Sequence, residues 1–166
     1  MCSKNALNKV DLKLIEAWVI NQVKAPSLWV AKSDKVVVDN NTAILVGGDE
    51  GSAIPHVDNR KLCRYGAVLY LSQNPQVNSG TSFYRLKYNN NAAGGNLVEA
   101  PYLNLVDALN TSSLPATAWY EDLAIENKFN RLILFKGNIA HSASGYFGKD
   151  KREKRLAVTF FWMAED

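Results

Sequence analysis

Cysteine and histidine are scarce in this chain. Among its 166 residues there are two of each, and the cysteines are Cys2 and Cys63. No CxxC pair occurs, which excludes a zinc ribbon and a thioredoxin-like redox motif. Because Cys63 lies next to an apolar run typical of a strand, we expect a reduced, buried thiol and a reducing compartment.

Long hydrophobic runs and a large excess of one charge are also absent. No stretch of about 18 apolar residues occurs, and residues 1–5 lack the apolar segment of a signal peptide. We therefore expect a cytoplasmic protein without a membrane partner. The net charge of +3 is small, and no long basic tract carries interleaved aromatics, so the composition does not indicate nucleic-acid binding. The length and the 47% of hydrophobic residues suit one globular domain spanning residues 1–166.

The first predicted element is a helix over about residues 8–24. Val10, Leu14 and Trp18 recur at the spacing of successive helical turns and form one apolar stripe, the pattern of an amphipathic helix. Strand signals dominate the rest of the chain, as runs of β-branched and aromatic residues bounded by turn residues. The predicted strands cover residues 35–39, 42–46, 53–58, 65–72, 81–88, 130–136 and 155–162.

Residues 89–129 differ in character from the segments on either side. The stretch 89–96 is rich in Asn and Gly, which allow the backbone to move, and it is either a lid or a plain surface loop. Two short helices are predicted around residues 102–109 and 119–127. The whole segment is too short for its own core, so we interpret it as a helical and loop insertion. Many short strands separated by turns predict a mainly β fold, a double-sheet jelly roll of the cupin type.

The two histidines fit a single metal site. Residues two apart in a strand point to the same face, so His56 and Asp58 would share a face while Val57 points away. The third ligand must come from a distant strand, and His141 follows one. Two imidazoles and one carboxylate occupy one face of an octahedral metal and leave three positions open, the ligand set of non-heme Fe(II) oxygenases. The alternative is that His56 caps a turn and His141 lies on the surface.

The last predicted strand carries a charge among apolar residues. Alternation places Arg155, Ala157 and Thr159 on one face and the large apolar residues on the other. An arginine that points inward needs an anion to offset its desolvation, and its guanidinium forms a fork that matches a carboxylate. The alternative is that Arg155 lies on a solvated face and continues the basic run of residues 151–154.

These motifs, taken in order, resemble the Fe(II)- and 2-oxoglutarate-dependent dioxygenases. The segments that carry the resemblance are residues 56–58, 64–72, 79–81, 130–135, His141 and 155–162. The chain is most similar to the prolyl-hydroxylase-like branch and to small bacterial and phage relatives. This resemblance implies a double-stranded β-helix and the hydroxylation of an unactivated C–H bond, with release of succinate and carbon dioxide. It implies a peptidyl side chain or a small amino-acid-like molecule as the substrate.

The resemblance also implies a role for each site residue. His56, Asp58 and His141 match the iron triad, and relatives that halogenate lack the carboxylate that Asp58 supplies. Three further residues match the positions that bind the distal carboxylate of 2-oxoglutarate or assist there: Arg155, Tyr70 and Thr159. Tyr70 could instead pack in the core. Since the interval from His141 to Arg155 is longer than in many prolyl hydroxylases, Arg152 is a second candidate for the anchor.

Two other functions are compatible with the same residues. One is a non-catalytic, cupin-like module that binds a metal or a ligand, although such a module has no reason to keep both the triad and a carboxylate anchor. The other is a hydrolase with zinc in the triad, which would act without dioxygen or 2-oxoglutarate and would give no role to an inward Arg155.

Overall fold

The structure is a computed structural model that describes residues 1–35, 38–87, 92–93, 97–110 and 114–165. Within these residues the protein is mainly β. The strands are β1 (Cys2–Lys4), β2 (Leu28–Trp29), β3 (Thr42–Val46), β4 (Tyr65–Tyr70), β5 (Thr81–Leu86), β6 (Ala92–Ala93), β7 (Leu97–Val98), β8 (Trp119–Ile125), β9 (Leu132–Lys136), β10 (His141–Ala143) and β11 (Arg155–Ala164). The helices are α1 (Lys9–Val23), α2 (Leu105–Leu109) and one 3-10 turn (Ala116–Ala118). No helix among the described residues is both long and apolar enough to cross a membrane.

The larger sheet is antiparallel and is built around β11. Its strand order is β1-β3-β11-β4-β9, with β2 paired to the far end of β11. In the pairing of β11 with β4, Ala157 lies opposite Tyr70 and Phe161 lies opposite Gly66. Because directly opposed residues point to the same face, the alternation of β11 divides the sheet into two surfaces with different contacts.

Helix α1 covers one of these surfaces. The side chain of Asn8 begins the helix by accepting the backbone N–H groups of Val10 and Asp11. Val19, which is fully buried, packs in a cluster with Phe160 and Trp162, whose rings stack with centroids 5.2 Å apart. Burial of each such side chain stabilises the fold by roughly 1.5–3 kcal/mol. This cluster is the core between the helix and the sheet.

The smaller sheet, in the order β10-β5-β8, lies against the opposite surface. The Tyr70 hydroxyl of the larger sheet donates to Thr81 Oγ1 of the smaller one at 2.8 Å. The rings of Phe83 and Phe135 also meet across the gap, edge to face, with centroids 5.5 Å apart. Two antiparallel sheets that contact each other through their side chains are consistent with a β-sandwich.

A second apolar cluster includes residues of the predicted insertion and contacts β5 and β8. It contains Val57, Leu86, Leu105 and Trp119, all buried.

The predicted helix at 119–127 is wrong, because residues 119–125 form β8, which pairs with β5. Long-range pairing explains the difference, since the pairing of residues 119–125 with β5 outweighs their local preference.

The other predicted elements have different outcomes. The helix at 8–24, the helix around 102–109 and the strands at 65–72 and 130–136 are confirmed in shorter form. The strand at 42–46 is confirmed with the predicted bounds, and the strand at 155–162 continues to Ala164. The strand at 81–88 is confirmed as far as Leu86, and Tyr88 lies outside the described residues. Residues 53–58 do not form a regular strand and contribute one isolated β-bridge at His56. Parts of the predicted strand at 35–39 and of the stretch 89–96 lie outside the described residues.

Candidate metal centre

The three predicted metal ligands lie together. His141 begins β10, and its backbone forms a bridge with His56, in which each residue donates its N–H to the other's carbonyl at 3.0 and 2.8 Å. Asp58 is held separately, because its N–H donates to Gly137 O at 2.8 Å. Val57 points away into the second apolar cluster. The predicted alternation of His56 and Asp58 therefore holds even though the segment is not a regular strand.

The ligand atoms of the triad are close enough to share one ion. One nitrogen of each imidazole and one carboxylate oxygen of Asp58 all lie within 4.8 Å of one another. His141 Nε2 lies 3.9 Å from Asp58 Oδ2, and the ring centroids of His56 and His141 are 4.6 Å apart. A metal with ligand bonds of about 2.0–2.2 Å fits among donors at these separations.

Both imidazoles are oriented by the backbone. His56 Nδ1 lies 3.0 Å from Ile54 O, and His141 Nδ1 lies 2.8 Å from Ile139 O. A carbonyl oxygen only accepts, so each Nδ1 carries the hydrogen and each Nε2 keeps its lone pair. A hydrogen bond from the other ring nitrogen to a carbonyl is how proteins fix the tautomer of a metal-binding histidine. The Nε2 atoms are thus the two nitrogens that could bind a metal ion.

One oxygen of the Asp58 carboxylate, Oδ2, is buried and makes no hydrogen bond among the described residues. The carboxylate as a whole interacts with the Cys63 thiol, through a hydrogen bond that helps to raise the pKa of that thiol. An unsatisfied buried acceptor costs about 1–3 kcal/mol, and more when it carries a charge. A cation between the two Nε2 atoms would remove that cost. The donor set and this orphaned oxygen therefore fit a divalent metal.

Two glycines leave room around the same oxygen. A Cβ atom at Gly137 would lie 3.1 Å from Asp58 Oδ2 and 2.9 Å from Cys63 Sγ. A Cβ atom at Gly66 would lie 3.4 Å from Asp58 Oδ2 and 2.8 Å from the Phe135 ring. Both positions therefore exclude a larger side chain if the carboxylate is to keep its place.

Burial dominates the ionisation of the groups at this site. It lowers the pKa of His141, an effect that the Asp58 carboxylate partly offsets and the neighbouring His56 reinforces. A neutral imidazole is the form that binds metals. Burial, and then the negative charge of Asp58, raise the pKa of the Cys63 thiol. Cys63 is therefore a buried, free and protonated thiol. This confirms the prediction of a reduced, buried thiol.

Arg155 and Tyr70 form a second cluster between the sheets. Arg155 is 6% exposed, and its guanidinium donates to Ser79 O at 2.7 Å and to Gly80 O at 3.2 Å. The guanidinium carbon lies 5.6 Å from the centroid of the Tyr70 ring and 5.7 Å from that of Tyr146. No carboxylate pairs with Arg155 in the part of the chain that the structure describes. The charge is thus held by rings and carbonyls, at a distance at which cation–π attraction operates.

Burial raises the pKa of Tyr70, against smaller lowering effects of its hydrogen bond to Thr81 and of the Arg155 charge. The hydroxyl is therefore protonated at neutral pH and donates to Thr81. The sequence did not predict that Thr81 and Tyr146 lie beside Arg155. Their position beside Arg155 depends on the pairing of β5 with β10 and on the loop that precedes β11, neither of which leaves a pattern in the sequence.

Thr159 and Arg152 lie apart from this cluster. Thr159 is on the same face of β11 as Arg155, but it lies opposite Val68, and its hydroxyl donates to Thr42 O at 3.4 Å. It is thus separated from Arg155 by four residues, about 13 Å along the strand. Arg152 is exposed on the turn that precedes β11. The structure therefore groups Arg155 with Tyr70 and does not place Arg152 with them.

A family model matches residues 49–162, which is most of the chain, and it describes a family of unknown function, DUF6445. The chain belongs to DUF6445. The match includes His56, Asp58, Tyr70, His141 and Arg155, whereas β1, α1, β2 and β3 precede it. The region that defines the family thus contains both the triad and the buried arginine. No curated protein and no solved structure matches the chain significantly.

Proposed function

We propose that this DUF6445 protein is an Fe(II)- and 2-oxoglutarate-dependent oxygenase with a double-stranded β-helix fold. The observation that carries the proposal is the triad itself: the two Nε2 atoms converge with a buried carboxylate oxygen that makes no hydrogen bond among the described residues. Two imidazoles and one carboxylate are the facial ligand set of non-heme iron oxygenases. With a metal held by His56, Asp58 and His141, dioxygen would oxidise both reactants: one of its oxygen atoms would enter succinate as 2-oxoglutarate loses carbon dioxide, and the other would form the hydroxyl group at the substrate carbon.

The protein's part is to place the reactants and to exclude water. His56, Asp58 and His141 would fill one face of the metal and leave the other face for ligands. Asp58 Oδ2 and His141 are buried, so one side of the metal would be shielded from solvent. The ring of Phe135 lies 4.4 Å, centroid to centroid, from that of His141 and adds an apolar wall. An apolar enclosure prevents side reactions of an activated metal site with water.

Arg155 and Tyr70 support the cosubstrate assignment. Arg155 is a buried cation that uses two of its five N–H donors on Ser79 and Gly80, among the described residues. The remaining donors suit the distal carboxylate of 2-oxoglutarate. Thr81 accepts the hydrogen bond of the Tyr70 hydroxyl. On β5 it is two residues from Phe83, which lies opposite His141 of β10. That offset is about 7 Å along the strand, comparable to the length of a five-carbon diacid.

An anaerobic titration of the metal-free protein tests the proposal. Fe(II) alone should give no visible band, and subsequent addition of 2-oxoglutarate should give a weak charge-transfer band. The band should be lost in His141→Ala, which lacks a ligand, and should require more 2-oxoglutarate in Arg155→Ala. Arg152→Ala is the matched control and should behave as the unmodified protein does.

Two results would contradict the proposal in different ways. Tight Zn(II) binding without any band on addition of Fe(II) and 2-oxoglutarate would favour a zinc hydrolase or a metal-binding module. A band that persists in His141→Ala would show that the metal binds elsewhere. A substrate-independent conversion of 2-oxoglutarate to succinate, dependent on Fe(II) and dioxygen, would support the oxygenase directly.

A further inference from the structure

An apolar cleft of about 300 Å³ opens beside the metal centre. It lies between the segment that carries His56, helix α2 and the start of β8. Its described lining residues are Ile54, Pro55, His56, Val57, Asn104, Leu105, Val106, Leu109, Leu114 and Trp119. The volume is at the lower end of the range of ligand pockets, the size that suits one ring or one branched chain.

His56 belongs to both the cleft and the triad. Its Nδ1 atom is held by Ile54 O, and its Nε2 atom is directed to the metal site shared with His141. A group seated in the cleft would therefore lie against His56, one of the three triad residues, whereas Asp58 and His141 are not among the described lining residues. This contact places the cleft next to the reacting centre.

The chemistry of the cleft excludes a charged occupant. Among the described lining residues there is no Lys, Arg, Asp or Glu. The amide oxygen of Asn104 is already used, since it accepts the backbone N–H of Asp107 at the start of α2. An ammonium or carboxylate group would lose its hydration without an oppositely charged partner among the described lining residues, which costs several kcal/mol in effect.

The rim of the cleft is open and apolar. Ile54 is 62% exposed and Val106 is 51% exposed, whereas Trp119 in the wall is buried. Large apolar side chains exposed together beside a concave apolar surface are a mark of a ligand site. Contact with a hydrocarbon group would remove this surface from water.

We infer that the cleft binds an uncharged hydrocarbon group of the substrate, a branched aliphatic chain or an aromatic ring, and places it beside the metal. This inference rests on the proposed function for the statement that the bound group, or a carbon next to it, is oxidised. It narrows the expected substrates: the part of the molecule that lies in the cleft is not a charged amino-acid side chain.

Ligand-observed NMR with benzyl alcohol, benzoate and benzylammonium tests the inference, because the three probes share one ring and differ in charge. Benzyl alcohol should bind, and the two charged probes should bind roughly tenfold more weakly or not at all. With Mn(II) in the triad, the relaxation of the ring protons of benzyl alcohol should be strongly enhanced. Val106→Lys places an ammonium at the rim and should abolish binding. The control is Val77→Lys, at a residue that is 89% exposed and is not part of the cleft lining, and it should bind as the unmodified protein does.

The outcomes separate the inference from the proposed function. No binding of benzyl alcohol, equal binding of the charged probes, or binding that Val106→Lys leaves unchanged would overturn the inference. Absence of a relaxation effect while electron paramagnetic resonance shows Mn(II) bound would also overturn it. If Mn(II) does not bind but benzyl alcohol does, and Val106→Lys abolishes that binding, the cleft assignment stands and the metal centre fails.

Discussion

His56 and His141 lie opposite each other in a β-bridge, and each donates its backbone N–H to the other's carbonyl oxygen. The two imidazoles therefore project from one rung, with ring centroids 4.6 Å apart. Asp58 is fixed by a separate backbone bond to Gly137. The backbone thus sets the spacing of all three ligands before a metal arrives, and this preorganisation reduces the ordering cost of metal binding.

Asp58→Asn should remove the stabilisation that a bound metal gives without unfolding the metal-free protein. In the metal-free protein the free energy of unfolding should rise by about 1 kcal/mol, because the buried Oδ2 makes no hydrogen bond among the described residues and the substitution removes its charge. In the unmodified protein, a metal at a hundredfold excess over its Kd should add about 2.7 kcal/mol, and the variant should lose this gain. Urea unfolding with chelator and with Co(II) measures both quantities.

The control for this substitution is Asp49→Asn, at an exposed residue outside the triad, and it should change neither quantity. A metal-dependent gain in Asp58→Asn equal to that of the unmodified protein would remove Asp58 from the ligand set. Under the proposed function, Asp58→Ala should also abolish iron-dependent turnover while the fold stays intact.

Gly137→Ala should weaken metal binding without adding or removing a ligand. The new Cβ would lie 2.9 Å from Cys63 Sγ and 3.1 Å from Asp58 Oδ2, so the carboxylate would have to move. We expect the Kd for Co(II) to rise by roughly tenfold or more, since metal sites require placement within about half an ångström. Gly48→Ala is the matched control, because its nearest neighbour would lie at 3.6 Å, an ordinary contact. Equal Kd values for the two variants would show that the space beside Asp58 is not needed.

Under the proposed function, Arg155→Ala should mainly increase the requirement for 2-oxoglutarate. A charge-assisted hydrogen bond contributes about 1.5–3 kcal/mol, so the KM for 2-oxoglutarate should rise roughly 10- to 100-fold while kcat changes less. Arg152→Ala, at an exposed position, should leave the KM within about twofold. The assignment of the anchor is wrong if Arg152→Ala raises the KM and Arg155→Ala does not.

The order of short motifs was enough to predict the triad and the pairing of Arg155 with Tyr70 as neighbours. The reason is that His56 and Asp58 are two residues apart, and the alternation of an extended chain fixes their common side. The registers that bring Thr81 to Tyr70 and Tyr146 to Arg155 depend on pairing between distant segments. Such pairings are decided by the whole sheet and are not encoded in any local pattern.

Local sequence patterns also gave wrong predictions for β8 and for the buried face of α1. Residues 119–125 were predicted to be helical but form β8, since pairing with β5 outweighs local preference. The apolar periodicity correctly predicted helix α1. The stripe that it identified, Val10, Leu14 and Trp18, faces solvent. Val10 is 67% exposed and Leu14 is 65% exposed, whereas a second apolar stripe on the same helix contains the buried Val19. A helix with two apolar stripes does not reveal which one is buried.

Two identical substitutions on α1 test which stripe packs on the sheet. Val19→Ala should lower the free energy of unfolding by about 1–3 kcal/mol, because it leaves a cavity against Phe160 and Trp162. Val10→Ala removes the same atoms from an exposed position and should change the free energy of unfolding by less than about 0.5 kcal/mol. Urea unfolding followed by tryptophan fluorescence measures both. A larger loss in Val10→Ala than in Val19→Ala would place the opposite face of the helix against the core.

Tyr70→Phe should change how stability depends on pH above the ordinary pKa of tyrosine. At neutral pH, loss of the bond to Thr81 should lower the free energy of unfolding by about 0.5–1.5 kcal/mol. Burial raises the pKa of Tyr70 in the folded state, so above about pH 10 the unfolded chain releases a proton that the folded protein retains. The contribution of Tyr70 is therefore fully present below that pH and is lost as the pH rises through the folded-state pKa. Urea unfolding across this range should show a steeper decline for the unmodified protein than for Tyr70→Phe. Parallel pH profiles would mean that the Tyr70 hydroxyl is solvated, which would remove it from the buried cluster around Arg155.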